Sequence, residues 1–187
     1  MKLNDYILLL IDLSEGGIRG KTLLQKRMYF LSILMNEDFG FKAHYYGPYS
    51  PYVEDALGTV KSLGFVEEHS TGYGLTNSEG FEVRRYDYSL TEDGKSIVAK
   101  YKHSDEIQNI ENVLEKLKKA GDDGDYMSLS IAAKIHYILE NSDKELYETE
   151  INDLAGKFGW NITLAQSAKA IQFLKNLELP GFSLWRK

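Results

Sequence analysis

The sequence contains no cysteine, which excludes disulfide bonds, thiol catalysis and cysteine-ligated zinc. It also lacks a long apolar run. The densest one, residues 7–11, is flanked by Asp5 and Asp12 and is far too short to span a bilayer. No basic segment with a small-residue cleavage site accompanies it, so we predict no signal peptide, no membrane association and a cytoplasmic protein.

An excess of basic residues is missing as well. The chain has 22 Lys and Arg against 28 Asp and Glu, which gives a net charge of −6. DNA-binding proteins draw much of their affinity from cations placed on phosphates, so this balance weakens a DNA-binding interpretation, although a local basic patch would be sufficient. Hydrophobic residues make up 43% of the 187 positions, enough for a globular core.

Patterns of catalytic or metal-binding residues are also lacking. The four histidines show no metal-ligand spacing, and residues 121–125 resemble a calcium loop without its later glutamate. Residues 16–22 imitate a phosphate-binding loop, yet Glu15 stands where that motif needs its first glycine. We therefore predict no enzyme: no catalytic residue, no metal and no cofactor. A nucleotide-binding enzyme that uses Lys21 is the less favoured alternative.

The stretch from residue 50 to residue 99 carries the clearest pattern. It predicts a helix at 51–63, capped by Ser50 with Pro51 in the first turn, and a strand at 64–68. A glycine-containing loop at 70–80 and a second strand at 81–90 follow, and the strand leads into a helix capped by Thr91. A helix followed by a hairpin and another helix is typical of a winged helix-turn-helix.

The remaining segments predict an α+β protein that is mostly α. Residues 1–103 are expected to form a winged helix-turn-helix domain with a two-stranded wing, and residues 104–187 a helical domain. A degenerate second winged helix in that second part is an alternative, and the glycine- and aspartate-rich residues 121–125 predict a linker. A strand is expected at 39–46, and further helices at 4–13, 21–36, 105–119, 128–140, 148–158 and 163–177.

Two motifs resemble known families. GKTLLQKRMYF at residues 20–30 and YYGPYS at 45–50 resemble the LQKLxYF and YGPYS pattern of the uncharacterised YwgA-like proteins of bacteria and archaea. They are more loosely similar to the Panacea antitoxin domain. Residues 129–160, with AAKIHYILE and INDLAGKFGW, extend the YwgA-like resemblance. The resemblance implies a small winged-helix-type protein without known catalytic residues. Similarity to Panacea implies toxin binding or an adaptor role.

Candidate nucleic-acid contacts follow from the winged-helix interpretation. The helix at 51–63 would enter the major groove, although its Glu54 and Asp55 suit phosphate poorly. The hairpin arginines would contact phosphate or the minor groove, unless one of them pairs with Glu82 or Asp87 on a solvated strand. Lysines of the second helix would extend the basic strip. The predicted contacts are Arg84, Arg85, Thr59, Lys61, Ser62, Lys21 and Lys26.

Four tyrosines cluster before the third predicted helix. We expect Tyr45 or Tyr46 to pack inside, whereas Tyr49 and Tyr52 are either core residues or a protein-binding patch. The sequence favours a DNA-binding winged-helix protein that acts as a transcriptional regulator. The alternative is a protein-binding module, antitoxin-like or an adaptor, on the same scaffold. The expected partner is therefore DNA or another protein, and homodimer formation is left open.

Overall fold

The computed structural model describes residues 1–76, 82–122, 124–179 and 185–186. Within these residues the chain is mostly helical and carries a three-stranded antiparallel sheet, which confirms the predicted α+β class. The first half contains four helices and all three strands of this sheet. Its elements are α1 (Leu3–Asp12), β1 (Ile18–Arg19), α2 (Lys21–Met35), α3 (Pro51–Ser62), β2 (Val66–Thr76), β3 (Glu82–Leu90) and α4 (Glu92–Val98).

The second half begins after a 3₁₀ turn at Ala99–Tyr101 and consists of helices with two very short strands. These elements are α5 (Asp105–Ala120), α6 (Tyr126–Glu140), β4 (Leu146–Tyr147), α7 (Glu148–Lys157), α8 (Leu164–Leu177) and β5 (Trp185–Arg186). α5 and α6 both pack against α2 and α8, so a continuous apolar core joins the two halves. The predicted domain boundary at residue 103 and the second winged helix stay predictions.

Capping residues set several helix starts where the sequence predicts them. Ser50, Thr91 and Thr163 each accept the backbone N–H three residues later, at 3.1, 3.1 and 3.3 Å. Each side-chain oxygen satisfies a donor that the first helical turn leaves without a partner. The starts of α3, α4 and α8 are therefore confirmed, and they rest on local chemistry.

The sheet has the strand order β1-β3-β2, with both pairs antiparallel. Ile18 of β1 faces Tyr88 of β3, and both side chains are buried against the helices. The hairpin is longer than predicted, because β2 continues to Thr76 instead of ending at Glu68. Its tip at residues 77–81 lies outside the described residues. The hairpin therefore extends well beyond the core.

The predicted strand at residues 39–46 is wrong. This segment contains only an isolated antiparallel bridge, in which Lys42 pairs with Tyr49. Gly40 and Gly47 have φ values of 68° and 92°, and these left-handed conformations interrupt an extended run. The chain between α2 and α3 is therefore a bridged turn rather than a strand.

The predicted linker at residues 121–125 is not a free tether. The Asp122 carboxylate accepts a hydrogen bond from Arg27 Nε at 2.9 Å, and its side chain is only 3% exposed. Asp125 caps α6 by accepting two backbone N–H groups. Asp123 lies outside the described residues. The segment thus fastens the α5–α6 turn to α2 through a buried ion pair.

A buried polar pair joins α2 to α6. Tyr29 Oη and His136 Nδ1 share a hydrogen bond of 2.9 Å, and both side chains lie inside the core. Burial lowers the pKa of His136 to about 4, so this imidazole is neutral at pH 7. A carboxylate oxygen, Glu140 Oε1, lies 3.8 Å from His136 Nε2. The pair fixes the relative position of two helices without a charge.

Because its pKa is lowered in the folded chain, His136 is expected to make the protein less stable in acid. Between pH 6.5 and about pH 4, His136 is protonated in the unfolded chain but stays neutral in the folded chain. The unfolded state therefore binds more protons, and the free energy of unfolding falls as the pH drops. We expect this contribution to total about 3 kcal/mol. Urea unfolding from pH 7 to pH 4 should show a shallower decline in a His136→Gln variant. Equal pH slopes in the two proteins would contradict the prediction.

Candidate functional site

The hairpin arginines lie side by side on β3 but differ in their contacts. Arg85 donates two hydrogen bonds to the Asp87 carboxylate, at 2.8 and 2.7 Å, which is the pairing that the sequence raised as an alternative. These bonds raise the pKa of Arg85. Arg84 is exposed and donates to Ser70 Oγ at 3.2 Å on the neighbouring strand. Successive side chains of a strand point to opposite faces, so these two sets of contacts differ, although both arginines line the groove described below.

The two lysines predicted on the second helix have different environments. Lys21 is exposed at the first position of α2 and forms an ion pair of 2.5 Å with Glu54. Lys26 is buried, with an exposed fraction of 1%, and donates to the carbonyl oxygen of Pro48. The prediction that Lys26 contacts a nucleic acid is corrected, because no phosphate can reach its ammonium group in this structure.

The outer face of α3 carries polar residues of both signs. Thr59 and Ser62 are exposed, and the Thr59 hydroxyl donates to the backbone carbonyl of Asp55. Lys61 forms an ion pair of 2.5 Å with Glu68 of β2. Glu54 and Asp55 stand at the start of the helix, so its exposed face has no excess of positive charge.

The tyrosine cluster is arranged differently from the expectation. Tyr45 and Tyr46 are 68% and 62% exposed, so the prediction that one of them packs inside is wrong. Tyr49 is half-buried, with its ring 4.9 Å from that of His44. Tyr52 is 62% exposed at the start of α3. The bridged turn thus directs aromatic surface outward.

A groove of about 550 Å³ brings several of these residues together. It lies between the hairpin, the start of α2, the turn before α3 and the start of α6. None of the described residues that line it is acidic. We call it the basic groove; its cations are Arg19, Lys21, Arg84, Arg85 and Lys134, and its tyrosines are Tyr45, Tyr46, Tyr73, Tyr86 and Tyr126.

Carboxylates outside the groove offset only part of its charge. Glu54 pairs with Lys21 and Asp87 pairs with Arg85, and Arg84 has contacts in addition to its bond with Ser70. Across the described part of the chain, Arg19 and Lys134 have no carboxylate within ion-pair distance, and Lys134 Nζ lies 5.7 Å from the centre of the Trp160 ring. The groove therefore keeps a net positive charge on a protein whose total charge is −6. Such a site attracts anions.

The turn that forms one wall of the groove is anchored by the second half of the chain. We call residues 44–50 the tyrosine turn. Trp160 Nε1 donates to the carbonyl oxygen of His44 at 2.8 Å, and Ser130 Oγ donates to that of Tyr46 at 2.9 Å. Both anchors come from residues distant in sequence. These hydrogen bonds hold the backbone that carries the exposed rings of the turn in one position.

Helix α2 anchors the other end of the tyrosine turn. The carbonyl oxygens of Pro48 and Ser50 accept hydrogen bonds from Lys26 Nζ and Gln25 Nε2, at 2.5 and 3.0 Å. Gln25 Oε1 also accepts the backbone N–H of Ser50 at 3.0 Å. Every second carbonyl of the turn is thus held by a side chain. This arrangement preorganises the wall of the basic groove.

Two lysines approach the glycine of this turn. A Cβ atom on Gly47 would lie 2.9 Å from Lys134 Cγ and 3.5 Å from Lys26 Nζ, and its φ of 92° disfavours any side chain. Burial, and then the nearby Lys134 ammonium, lower the pKa of Lys26 to about 7. Only glycine allows the turn to pack this closely over both lysines.

Several groove residues had no role in the sequence predictions. Lys134 is a single cation within an apolar helix, a pattern that could have marked it as a residue with a specific contact. Tyr73, Tyr86 and Tyr126 give no such signal, because exposed tyrosines are common in hairpins and at helix starts. Their shared position depends on how the hairpin and α6 meet.

Among the described residues, neither a phosphate-binding loop nor a cluster of metal-ligating side chains is present. Residues 7–11 lie in α1, whereas a phosphate-binding loop needs a preceding strand. No group of three His, Asp or Glu side chains arranged for a metal ion occurs among residues 1–76, 82–122, 124–179 and 185–186. In the same ranges, no helix combines the length and apolar character needed to cross a membrane.

Comparisons with known proteins give no family assignment. No family model matches the sequence, and no curated protein shows significant similarity to it. The resemblance to the YwgA-like and Panacea families therefore stays a prediction that rests on the two motifs. Functional inference depends on the geometry of the basic groove.

Proposed function

We propose that residues 1–103 form a winged helix-turn-helix unit. The element order helix, strand, two helices and two strands supports this proposal, as does the sheet order β1-β3-β2 with the hairpin at its edge. In such a unit α3 would be the recognition helix and the β2–β3 hairpin the wing. Winged-helix units commonly bind nucleic acid or protein.

The function we propose is nucleic-acid binding through the basic groove. The single observation that carries this proposal is the concentration of five cations, with no acidic lining residue among those described, on an otherwise acidic protein. Arg84 and Arg85 belong to the proposed wing, so the groove lies where a wing would contact phosphate. The start of α2 opens onto the groove through Gly20, Lys21 and Thr22 and adds the positive end of a helix dipole.

The exposed face of α3 is a weaker candidate for the contact. Glu54 and Asp55 lie at its start, and Glu67 and Glu68 flank it on β2. Carboxylates there would repel a phosphate backbone. We therefore place the main phosphate contacts in the groove and assign Thr59 and Ser62, at most, a secondary role in sequence preference.

An Arg19→Ala/Arg84→Ala variant tests the proposal. We expect weaker binding of labelled oligonucleotides and a slope of log K against log salt that is shallower by about 1 for each phosphate that the variant no longer neutralises. Fluorescence anisotropy at several salt concentrations measures both quantities. Lys100→Ala/Lys102→Ala removes the same charge from exposed positions outside the groove and should have little effect. Equally weakened binding in the two variants would indicate a nonspecific charge effect and contradict the proposal.

Within nucleic-acid binding, the more specific role that we propose is regulation of transcription. Its most direct test is a mobility-shift assay on DNA that flanks the protein's own gene.

A protein-binding module is the second candidate function, favoured by the acidic face of α3 and by the exposed Tyr52. No nucleic-acid binding at low salt, together with a partner whose binding requires Tyr49 and Tyr52, would support that candidate. The absence of enzymatic activity stays a prediction.

A further inference from the structure

The basic groove is as rich in aromatic rings as in cations. Tyr45, Tyr46, Tyr73, Tyr86 and Tyr126 have exposed fractions between 41% and 68%, so solvent reaches at least part of each side chain. Tyr45 and Tyr46 meet edge to face, with ring centres 5.0 Å apart. Exposed aromatic side chains beside cations are the combination on which unpaired bases stack in proteins that bind single strands.

The exposed tyrosines of the groove favour one strand over a duplex. Its volume of about 550 Å³ lies in the range of pockets that enclose small organic ligands. In duplex DNA the base faces are covered by their neighbours, and only phosphates, sugars and base edges reach a protein surface. A duplex would therefore leave the tyrosines of the groove without stacking partners.

The tyrosine turn is already in place before any ligand binds. The carbonyl oxygens of His44 and Tyr46 are held by Trp160 and Ser130, so the backbone on both sides of Tyr45 is anchored. Anchoring reduces the conformational entropy that binding would otherwise cost. Arg19 and Arg84 stand on the hairpin side of the same groove, where they can contact phosphates of a strand whose bases reach the turn.

From these observations we propose that the basic groove binds a short segment of single-stranded nucleic acid. Bases stack on Tyr45 and Tyr46, while Arg19, Arg84 and Lys134 contact the phosphates. This inference rests on the proposed nucleic-acid binding and specifies its ligand. Both DNA and RNA strands present unpaired bases and phosphates, so the experiment includes one of each.

The test measures anisotropy of labelled dT20, of U20 RNA and of a 20-base-pair DNA duplex at one salt concentration. We expect at least one single strand to bind about tenfold more tightly than the duplex, since stacking contributes about 1–3 kcal/mol per base. A Tyr45→Ala/Tyr46→Ala variant should lose about tenfold or more of that affinity, whereas Tyr45→Phe/Tyr46→Phe should retain it. Tyr147→Ala removes an exposed tyrosine outside the groove and should change nothing.

The outcomes separate this inference from the proposed function. Duplex binding equal to or tighter than single-strand binding would overturn the single-strand inference while nucleic-acid binding stands. Single-strand binding that survives the alanine variant would overturn the assigned role of the tyrosines. No binding of any of the three probes at low salt would overturn the proposed function itself. Thermal unfolding of each variant shows whether weaker binding reflects the groove or the fold.

Discussion

The free energy of unfolding is expected to rise between pH 7 and pH 10.5 because of one residue, Lys26. This side chain is 1% exposed, and burial with the neighbouring Lys134 ammonium lowers its pKa from 10.5 to about 7. Above pH 7 the folded chain has released this proton while the unfolded chain still holds it. The unfolded state then binds more protons, so stability increases with pH until the unfolded lysine also titrates.

The expected size of this effect is large for a single residue. A pKa difference of this magnitude corresponds to about 5 kcal/mol over the whole window. Wild-type protein should gain about 3 kcal/mol between pH 7 and pH 9.5 relative to a Lys26→Met variant, which has no group to titrate. Contributions of all other titratable groups cancel in the comparison, so the difference between the two proteins is the informative quantity.

Urea unfolding at half-unit pH steps measures this difference. Lys100→Met, a change at an exposed lysine, should follow the wild-type curve throughout. Parallel curves for wild type and Lys26→Met would show that Lys26 keeps its charge in the folded state.

The Lys26→Met variant also lacks the hydrogen bond that holds the carbonyl of Pro48 in the tyrosine turn. We therefore expect it to bind ligand in the basic groove more weakly, although the ligand does not contact Lys26.

The second large effect is expected at Asp122. Its carboxylate is 3% exposed and pairs with Arg27, which also donates a hydrogen bond to Ser14 Oγ at 3.2 Å. Asp122→Ala would leave the Arg27 guanidinium, whose side chain is 16% exposed, without its counter-charge. Removing one partner of a fully buried ion pair costs about 3–5 kcal/mol, and water screens the part of Arg27 that it reaches. We therefore expect the free energy of unfolding to fall by about 3 kcal/mol, the lower end of this range.

A double-mutant cycle makes this prediction specific. Arg27→Met/Asp122→Ala should regain most of the stability that Asp122→Ala removes, because no unpaired charge remains buried. Asp143→Ala, at an exposed loop position, should change stability by less than about 0.5 kcal/mol. If the double variant is as unstable as the sum of the single variants, the destabilisation comes from packing rather than from the unpaired charge.

Local signals in the sequence determined the helices and their starts. Ser50, Thr91 and Thr163 cap helices because a side-chain oxygen needs only the next three residues to do so. The dense apolar residues of α1 likewise predict its burial, since little polar surface remains to face water. The α+β class and the hairpin follow from such short-range patterns.

Tertiary structure alone decided the candidate site. The sequence predicts that Lys26 lies on the surface. In the structure its Nζ is buried and donates a hydrogen bond to the carbonyl oxygen of Pro48, 22 residues away in sequence. The sequence predicts that Tyr45 or Tyr46 packs inside, yet Trp160 and Ser130 hold the carbonyls of His44 and Tyr46 and both rings face outward. Sequence periodicity fixes which residues share one helix or strand face. Which faces meet across α2, α6 and the hairpin is set by packing of the whole core, and that packing creates the basic groove.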